Sequence, residues 1–207
     1  MGVSAGIHAR ATRLRYGDEG YDWDFRVNTT RANLAWRERL LGHFYCAYQA
    51  TEPAHFTEMM ASLQIDFPAF TFIDVGSGKG RALMMASDYP FRRILGIELL
   101  PALHRVAEEN LSAYKSRAQR CFKVESLLGD AREFVFPVEP TVLYLFHPLT
   151  ETAFSEVIAN LNRSLSQNPR PVYVVYQNPL LENILLHGRP FQKIAGNHQH
   201  SIFRHLP

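Results

Sequence analysis

From residue 70 onward, short apolar runs alternate with segments in which apolar residues recur at helical spacing. A short apolar run bounded by glycine, proline or polar residues predicts a buried strand. The predicted strands occupy residues 70–75, 93–97, 122–128, 141–146 and 171–176. Helices are predicted at residues 82–86, from Pro101 to about Ala118, and across residues 154–165. Strands that alternate with helices are typical of a parallel sheet covered on both faces.

Two further runs, at residues 191–194 and 199–203, predict an antiparallel hairpin. The prediction is therefore an α/β fold whose doubly wound sheet has seven strands and is mostly parallel. In such sheets, ligands bind beyond the carboxyl ends of the strands, near the point where the strand order switches. The chemistry of this protein is expected there.

The N-terminal third has a different pattern. Residues 1–27 show no regular spacing, whereas residues 28–48 combine a polar cap with apolar positions at helical intervals. Pro53 is suited to the first turn of a second helix. We expect residues 1–66 to form an arm and helical cap packed on a main domain of residues 67–207, all in one folding unit. The aromatic residues of the arm either cover a ligand or pack on the core.

Composition narrows the class of protein. With 207 residues, 46% of them hydrophobic and 20% charged, the chain has the make-up of an ordinary globular domain. Its 22 basic and 20 acidic residues leave a net charge of +2, which argues against a nucleic-acid partner. No apolar run approaches the ~20 residues of a membrane helix. Two distant cysteines, Cys46 and Cys121, form no disulfide framework. A cytoplasmic protein without membrane contact is predicted.

The strongest motif is Asp74-Val75-Gly76-Ser77-Gly78-Lys79-Gly80, which follows the first predicted strand and opens a helix. Glycines permit a tight turn and a close approach of ligand to backbone. The motif does not match a Walker A loop, which needs four residues between its first glycine and Gly-Lys-Ser/Thr. It also departs from the dinucleotide fingerprint G-x-G-x-x-G, because its third glycine comes one position early. A carboxylate at Asp74 suits a cationic or hydroxyl-bearing ligand better than a phosphate.

This segment resembles motif I of class I S-adenosylmethionine-dependent methyltransferases, in which an acidic residue precedes G-x-G-x-G. Glu98 ends the second strand, 24 residues after Asp74, and Asp130 follows the third strand, 32 residues after Glu98. In that family, the acid at the position of Glu98 accepts hydrogen bonds from both ribose hydroxyls, and the acid at the position of Asp130 contacts the adenine amine. The resemblance covers about residues 70–180 and implies a Rossmann-like fold with S-adenosylmethionine as the cofactor.

The resemblance also implies which residues contact the cofactor. They are Asp74, Gly76, Ser77, Gly78, Gly80, Glu98, Leu99, Asp130, Ala131 and Phe146. The three acids also have ordinary structural interpretations: Asp74 as a turn cap, Glu98 as an exposed strand-end charge and Asp130 as a helix cap. Their position at three consecutive strand ends favours the cofactor site.

A weaker resemblance concerns the segment Tyr48-Gln49-Ala50-Thr51, which is similar to the Tyr-x-Pro-Ser/Thr segment of Dot1-like lysine methyltransferases. Ala50 replaces the proline of that segment. If the likeness holds, Tyr48 and Thr51 border the cofactor; otherwise Tyr48 belongs to the core and Thr51 caps a helix.

Two residues are candidates for catalysis. The fourth strand ends Phe146-His147-Pro148, where nitrogen methyltransferases carry Asn/Asp-Pro-Pro-Tyr/Phe, so the departure puts amine chemistry in doubt. His147 is either a general base, a donor in the pocket wall or a structural strand cap. Asn178 precedes Pro179, which directs its backbone away from the helical region. Its amide either reaches the cleft or belongs to an ordinary turn.

These residues predict an S-adenosylmethionine-dependent methyltransferase that acts on an unidentified acceptor, either a protein amine or a small molecule. The alternatives are an NAD(P)-dependent oxidoreductase and a catalytically silent module that binds a cofactor or a protein. No metal is expected, because His198 and His200 have no obvious third ligand.

Overall fold

The computed structural model of the protein describes residues 20–30, 50–146, 149–187 and 191–207. The helices of these ranges are α1 (Gly20–Phe25), α2 (Pro53–Ala61), α3 (Arg81–Ala86), α4 (Pro101–Ala113), α5 (Glu151–Gln167) and α6 (Glu182–Leu186). The strands are β1 (Thr71–Val75), β2 (Arg93–Glu98), β3 (Val124–Leu128), β4 (Thr141–Phe146), β5 (Val172–Gln177), β6 (Gln192–Gly196) and β7 (His200–His205).

The seven strands form one sheet in the order β3-β2-β1-β4-β5-β7-β6. Strands β1 to β5 pair in parallel, whereas β7 is antiparallel to β5 and to β6. Strands β2 and β3 are added on one side of β1, and β4 and β5 on its other side. The point where the strand order switches therefore lies between β1 and β4. The predicted α/β fold, with a mostly parallel sheet and a C-terminal antiparallel hairpin, is confirmed.

The central strands are apolar because both faces of the sheet are covered. On one face, Ile73, Leu143 and Val174 pack with the apolar stripe of α5. On the other face, Phe72 and Val175 pack with α2 and α3. Burying both faces brings the carboxyl ends of β1 and β4 together beneath the helices.

The observed elements differ from the prediction in several places, among them the helix at Glu182–Leu186, which was not predicted. Helix α4 ends at Ala113 instead of reaching Ala118, because Tyr114 adopts an extended backbone with ψ 129°. Residues 20–25 form a short helix where no regular structure is predicted. The helix predicted for residues 28–48 has most of its length outside the described residues. Within the described ranges, every helix is too short or too polar to cross a membrane.

Candidate functional site

The candidate site lies at the carboxyl ends of β1, β2 and β4, where the strand order switches. Residues 76–80 leave β1 as a loop and lead directly into α3. Three glycines of this loop have left-handed backbones, namely Gly76 (φ 74°), Gly78 (φ 54°) and Gly80 (φ 82°). A Cβ atom on Gly80 would also lie 3.3 Å from Cβ of Ala107, so this glycine lets α3 start close against α4.

Gly96, in the middle of β2, is a further requirement of the loop. A Cβ atom there would lie 2.6 Å from Ser77 Oγ and 2.6 Å from Leu83 Cδ1. The loop and the first turn of α3 therefore rest directly on the β2 backbone. Our sequence reasoning missed Gly96, although a glycine inside a strand pattern is a known signal of a close approach.

The amides of the loop are used within the protein. The N–H groups of Gly76 and Ser77 donate to the carbonyl of Ile97, and that of Gly80 donates to Ser77. The N–H of Gly78 donates to Glu98 Oε2 at 2.7 Å. A phosphate-binding loop would need such donors free to meet an anion. Four of the five amides of residues 76–80 are thus already engaged within the protein, three of them by β2.

Glu98 fastens the loop to the end of β2. Its Oε1 accepts a hydrogen bond from the N–H of Leu100 at 2.8 Å, while Oε2 accepts from Gly78. Burial raises the pKa of Glu98, and the amides of Leu100 and Gly78 act in the opposite direction. Each carboxylate oxygen has two lone pairs, so acceptor capacity is left over. Leu99 is half-buried beside this carboxylate.

Asp74 lies next to Glu98 at the rim and is 4% exposed. Burial, together with the nearby charge of Glu98, raises the pKa of Asp74 well above its usual range. Among the described residues, no Lys, Arg or His nitrogen forms an ion pair with this carboxylate. Asp74 is therefore a buried carboxyl group at the rim that has no ion-pair partner among the described residues.

Asp130 reaches the same rim from β3. Leu128 is in register with Glu98, and the N–H of Gly129 donates to the Glu98 carbonyl at 2.9 Å. The Asp130 carboxylate accepts hydrogen bonds from the N–H and the guanidinium of Arg132, which lower its pKa. Ala131 is buried in the core behind it. The three predicted acids therefore meet at adjacent strand ends.

The other side of the rim, on β4 and β5, carries neutral polar groups. Tyr144 Oη lies 2.8 Å from Thr51 Oγ1 and donates to Gln177 Oε1 at 2.6 Å. All three side chains are buried, and Tyr144 is in register with Asp74. Thr51 was a predicted cofactor neighbour. Gln177 was missed, because nothing in the local sequence distinguishes it from any other polar residue at a strand end.

The remaining predicted residues stand as follows. Phe146 is half-buried at the end of β4. Asn178 has an exposed side chain and a left-handed backbone with φ 52°. Its N–H donates to the carbonyl of Gln199 at 2.7 Å, which holds the turn after β5. Tyr48 and His147 lie outside the described residues.

Residues 20–30, which we call the N-terminal strap, are joined to the first residue of α3 by a buried ion pair. Arg81 Nη2 lies 3.2 Å from Asp22 Oδ1, and the two side chains are 2% and 0% exposed. The Asp22 carboxylate also accepts hydrogen bonds from the N–H and hydroxyl groups of Thr29 and Thr30. These contacts explain the helix at residues 20–25, since Asp22 requires partners that only the fold brings to it.

Lys79 makes a second connection between the loop and the strap. Its Nζ donates to Asn28 Oδ1 at 3.0 Å and to the carbonyl of Thr30 at 3.1 Å. Asn110 of α4 donates to the carbonyls of Lys79 and Asn28 and accepts from the Asn28 N–H. Lys79 of the loop and Arg81 at the start of α3 thus both contact the strap.

Comparison with known proteins places this arrangement in a fold. No protein-family profile matches the sequence, and no curated protein matches it significantly. Among solved structures, a ribosomal protein L11 methylase from Lactobacillus delbrueckii subsp. bulgaricus is 16% identical, with a TM-score of 0.52 over 78% of this chain and 81% of that chain.

Two other solved structures are similar. A predicted N6-adenine-specific DNA methylase from Listeria monocytogenes is 14% identical, with a TM-score of 0.56 over 76% of this chain and 52% of that chain. TrmN from Thermus thermophilus is 14% identical, with a TM-score of 0.54 over 76% of this chain and 50% of that chain. The fold implied by the resemblance to class I S-adenosylmethionine-dependent methyltransferases is confirmed, whereas the Dot1-like hint is not.

Proposed function

We propose that this protein is an S-adenosylmethionine-dependent methyltransferase whose acceptor is a protein amine or a small molecule. One observation carries the proposal: a glycine loop whose amides are consumed internally lies beside two buried carboxyl groups, Asp74 and Glu98. Such a rim disfavours the pyrophosphate of NAD(P), because it offers negative groups where an anion would need donors. It favours a ligand that carries positive charge and hydroxyl groups.

S-adenosylmethionine has both features, so the residues fit it. A cationic group near Asp74 would supply the balance that this buried carboxyl group lacks among the described residues. Glu98 retains lone pairs for ribose hydroxyls while it holds Gly78 and Leu100.

The chemistry of the reaction requires positioning more than bond-making groups. When bound, the cofactor supplies a methyl group on a sulfonium, which an acceptor attacks in line. The chain must orient the acceptor and exclude water from a neutral nucleophile. The ends of β4 and β5 are the proposed acceptor side, where Tyr144 fixes the Gln177 amide. His147 as a general base and Asn178 as an orienting amide complete this proposal.

Calorimetric titration with S-adenosylhomocysteine and with NAD tests the cofactor. We expect the first to bind and the second not to. Glu98→Ala should weaken S-adenosylhomocysteine at least about tenfold, since it removes ribose acceptors and releases the loop. Glu125→Ala, at an exposed position of the neighbouring strand β3, is the matched control and should bind within about twofold of the parent. Binding of NAD, or an unchanged affinity in Glu98→Ala, would overturn the proposal.

Transfer of a labelled methyl group separates an active enzyme from a silent module. The labelled cofactor is incubated with small amines and with protein extracts, and the parent is compared with His147→Ala. We expect His147→Ala to lower kcat without changing the affinity for S-adenosylhomocysteine. His187→Ala, an exposed histidine of the turn after α6, serves as the control. Cofactor binding without transfer to any acceptor would support the silent module instead.

A further inference from the structure

The turn that follows β3 carries the third acid of the rim, and the carboxylate of this acid is already occupied. Both oxygens of Asp130 accept hydrogen bonds from Arg132, two residues further along the chain. Oδ1 accepts from the Arg132 N–H at 2.9 Å and from Nε at 3.0 Å. Oδ2 accepts from Nε at 2.9 Å and also from Nη2. Since each carboxylate oxygen has two lone pairs, these four contacts use the acceptor capacity of Asp130.

Helix α5 holds this turn from the other side. Arg132 Nη1 donates to Glu156 Oε2 at 3.3 Å, and Asn160 Nδ2 donates to the carbonyl of Phe134 at 2.8 Å. Ala131 is buried in the core behind the turn. These contacts keep the turn, and with it Arg132, beside the Asp130 carboxylate.

The neighbouring acid, Glu98, is occupied in a different way. Its Oε1 accepts from the N–H of Leu100 and its Oε2 from the N–H of Gly78, so lone pairs are left for a ligand. The hydrogen bonds from Arg132 lower the pKa of Asp130, whereas burial raises the pKa of Glu98. Asp130 is therefore an anion whose charge is already paired, while Glu98 is a carboxyl group that can still accept hydrogen bonds.

The place of the nucleobase follows from the proposed function, on which this inference rests. In the strand order β3-β2-β1-β4, Glu98 at the end of β2 stands between Asp130 and Asp74. The proposed function puts the ribose at Glu98 and the transferable methyl group toward β4. Because the base and the sulfonium are attached at opposite ends of the ribose, the base extends from Glu98 toward β3 and Asp130.

Adenine offers Asp130 a weaker donor than Arg132 does. The amino group of adenine is neutral and places one N–H on the carboxylate, whereas a guanidinium brings a positive charge and two N–H groups in a fixed fork. The side chain of Asp130 is 19% exposed, so water can hydrate the amine at this edge. Exchanging Arg132 for the amine would thus replace stronger hydrogen bonds by a weaker one.

We propose that Arg132 is a positioning residue that sets base specificity, because it occupies Asp130 in place of the adenine amine. The site therefore takes purine ribonucleosides joined to homocysteine or methionine, with or without an amino group on the base. Removing Arg132 releases the Asp130 carboxylate and creates a preference for the amino group.

Calorimetric titration with two ligands tests the proposal. They are S-adenosylhomocysteine and its analogue with an unsubstituted purine, which lacks only the amino group. In the parent, we expect the two dissociation constants to agree within about twofold. In Arg132→Met, the released carboxylate accepts the amine, so S-adenosylhomocysteine should bind at least about fivefold more tightly than the purine analogue. Damage to the fold alone would weaken both ligands alike.

Control variants locate the effect at Asp130. Arg132 is 43% exposed and methionine keeps its apolar stem, so Arg132→Met should fold like the parent. Arg163→Met removes an exposed arginine of α5 and should leave the ratio of the two constants unchanged. Combining Arg132→Met with Asp130→Ala removes the carboxylate as well and should bring the two constants back within about twofold.

The outcomes separate this proposal from the proposed function. A parent that already prefers S-adenosylhomocysteine by more than about twofold overturns the role of Arg132 alone. The same holds if Arg132→Met does not raise that preference, or if the double variant retains the raised preference. If neither ligand binds the parent, the proposed function fails and the role of Arg132 fails with it.

Discussion

The two sides of the point where the strand order switches, β1–β2 and β4–β5, present different chemical groups. On the β1–β2 side, a carboxylate holds a glycine loop through a backbone amide, Lys79 of the loop donates hydrogen bonds to the strap, and Arg81 of α3 forms an ion pair with it. On the β4–β5 side, neutral side chains form a buried relay from Thr51 through Tyr144 to Gln177. The first side depends on backbone conformation and charge, and the second on side-chain hydrogen bonds.

This difference has a consequence for function. A site made from backbone amides and glycines permits little variation, because a side chain at Gly76, Gly78 or Gly80 would be strained by the left-handed backbone. A site made from side chains on separate segments can change one residue at a time. The proposed cofactor side is therefore the constrained part of the molecule, and the proposed acceptor side is the adaptable part. Four substitutions test that contrast.

The largest effect is expected from Asp22→Asn on the charged side. The variant removes the buried carboxylate that pairs with Arg81, which should cost about 3–5 kcal/mol of unfolding free energy. Urea denaturation measures it. Lys193→Ala removes a partner from the ion pair with Glu182, whose side chains are 40% and 36% exposed. That control should lose at most about 1 kcal/mol. Equal losses in the two variants would contradict the structural role of the strap.

Gly96→Ala should have the next largest effect. Its new methyl group would meet Ser77 and Leu83 at 2.6 Å and displace the loop. We expect a loss of about 3 kcal/mol, at the upper end for overpacked interiors, and weaker binding of S-adenosylhomocysteine. Gly129→Ala meets no atom within 4 Å and is the matched control. Thermal unfolding and calorimetry of both variants decide whether the β2 backbone supports the loop.

Tyr144→Phe probes the neutral side. Removing one hydroxyl leaves both Thr51 Oγ1 and Gln177 Oε1 without this partner, so we expect a loss of about 1–2 kcal/mol. The affinity for S-adenosylhomocysteine should change less than in Gly96→Ala, whereas methyl transfer should fall. Tyr173→Phe on the neighbouring strand β5 is the control. A larger loss of cofactor affinity than of transfer would reverse the proposed division of the rim.

Asp74→Asn should have the smallest effect on stability, and in the opposite direction. Because the pKa of Asp74 is raised in the folded protein, the folded state binds a proton that the unfolded state has released above about pH 4. The stability of the ligand-free parent therefore falls as the pH rises through that window. Asp74→Asn lacks this fall, so its Tm should exceed that of the parent at neutral pH.

The same variant should bind S-adenosylhomocysteine less tightly, because it lacks the carboxylate that we propose as a cofactor contact. Scanning Tm from pH 4 to pH 8, with and without S-adenosylhomocysteine, measures both effects. Asp66→Asn, which changes an exposed acid before β1, is the control for comparison. A parent whose stability advantage over Asp74→Asn grows with pH would show that Asp74 is stabilised as an anion in the ligand-free fold.

Much of the fold was predictable because its signals are local. The run at residues 141–146 is nearly all apolar and is observed as β4 with the same bounds. The glycines of the loop announce a turn, since left-handed backbones favour glycine whatever surrounds them. Glu98 and Asp130 were found by their position after apolar runs, and both lie at the rim.

The helix at residues 20–25 was not predictable, because the buried Asp22 has a charged partner in Arg81, which is 59 residues away in the chain. Gln177 gained its position from Tyr144 and Thr51 in the same way, across separations of 33 and 93 residues. A cleft of about 520 Å³ between the strap, α2 and the end of α3 likewise exists only where three distant segments meet.

The order of strands and helices, the turn of the glycine loop and the acids at the strand ends were determined by the sequence itself. Each depends on hydrophobic period or backbone conformation within a few residues. Only the tertiary structure decided which buried charges have partners, which amides the loop consumes and where the concave sites open. Those properties arise from contacts between residues far apart in the chain, and their energies depend on burial that no local pattern contains.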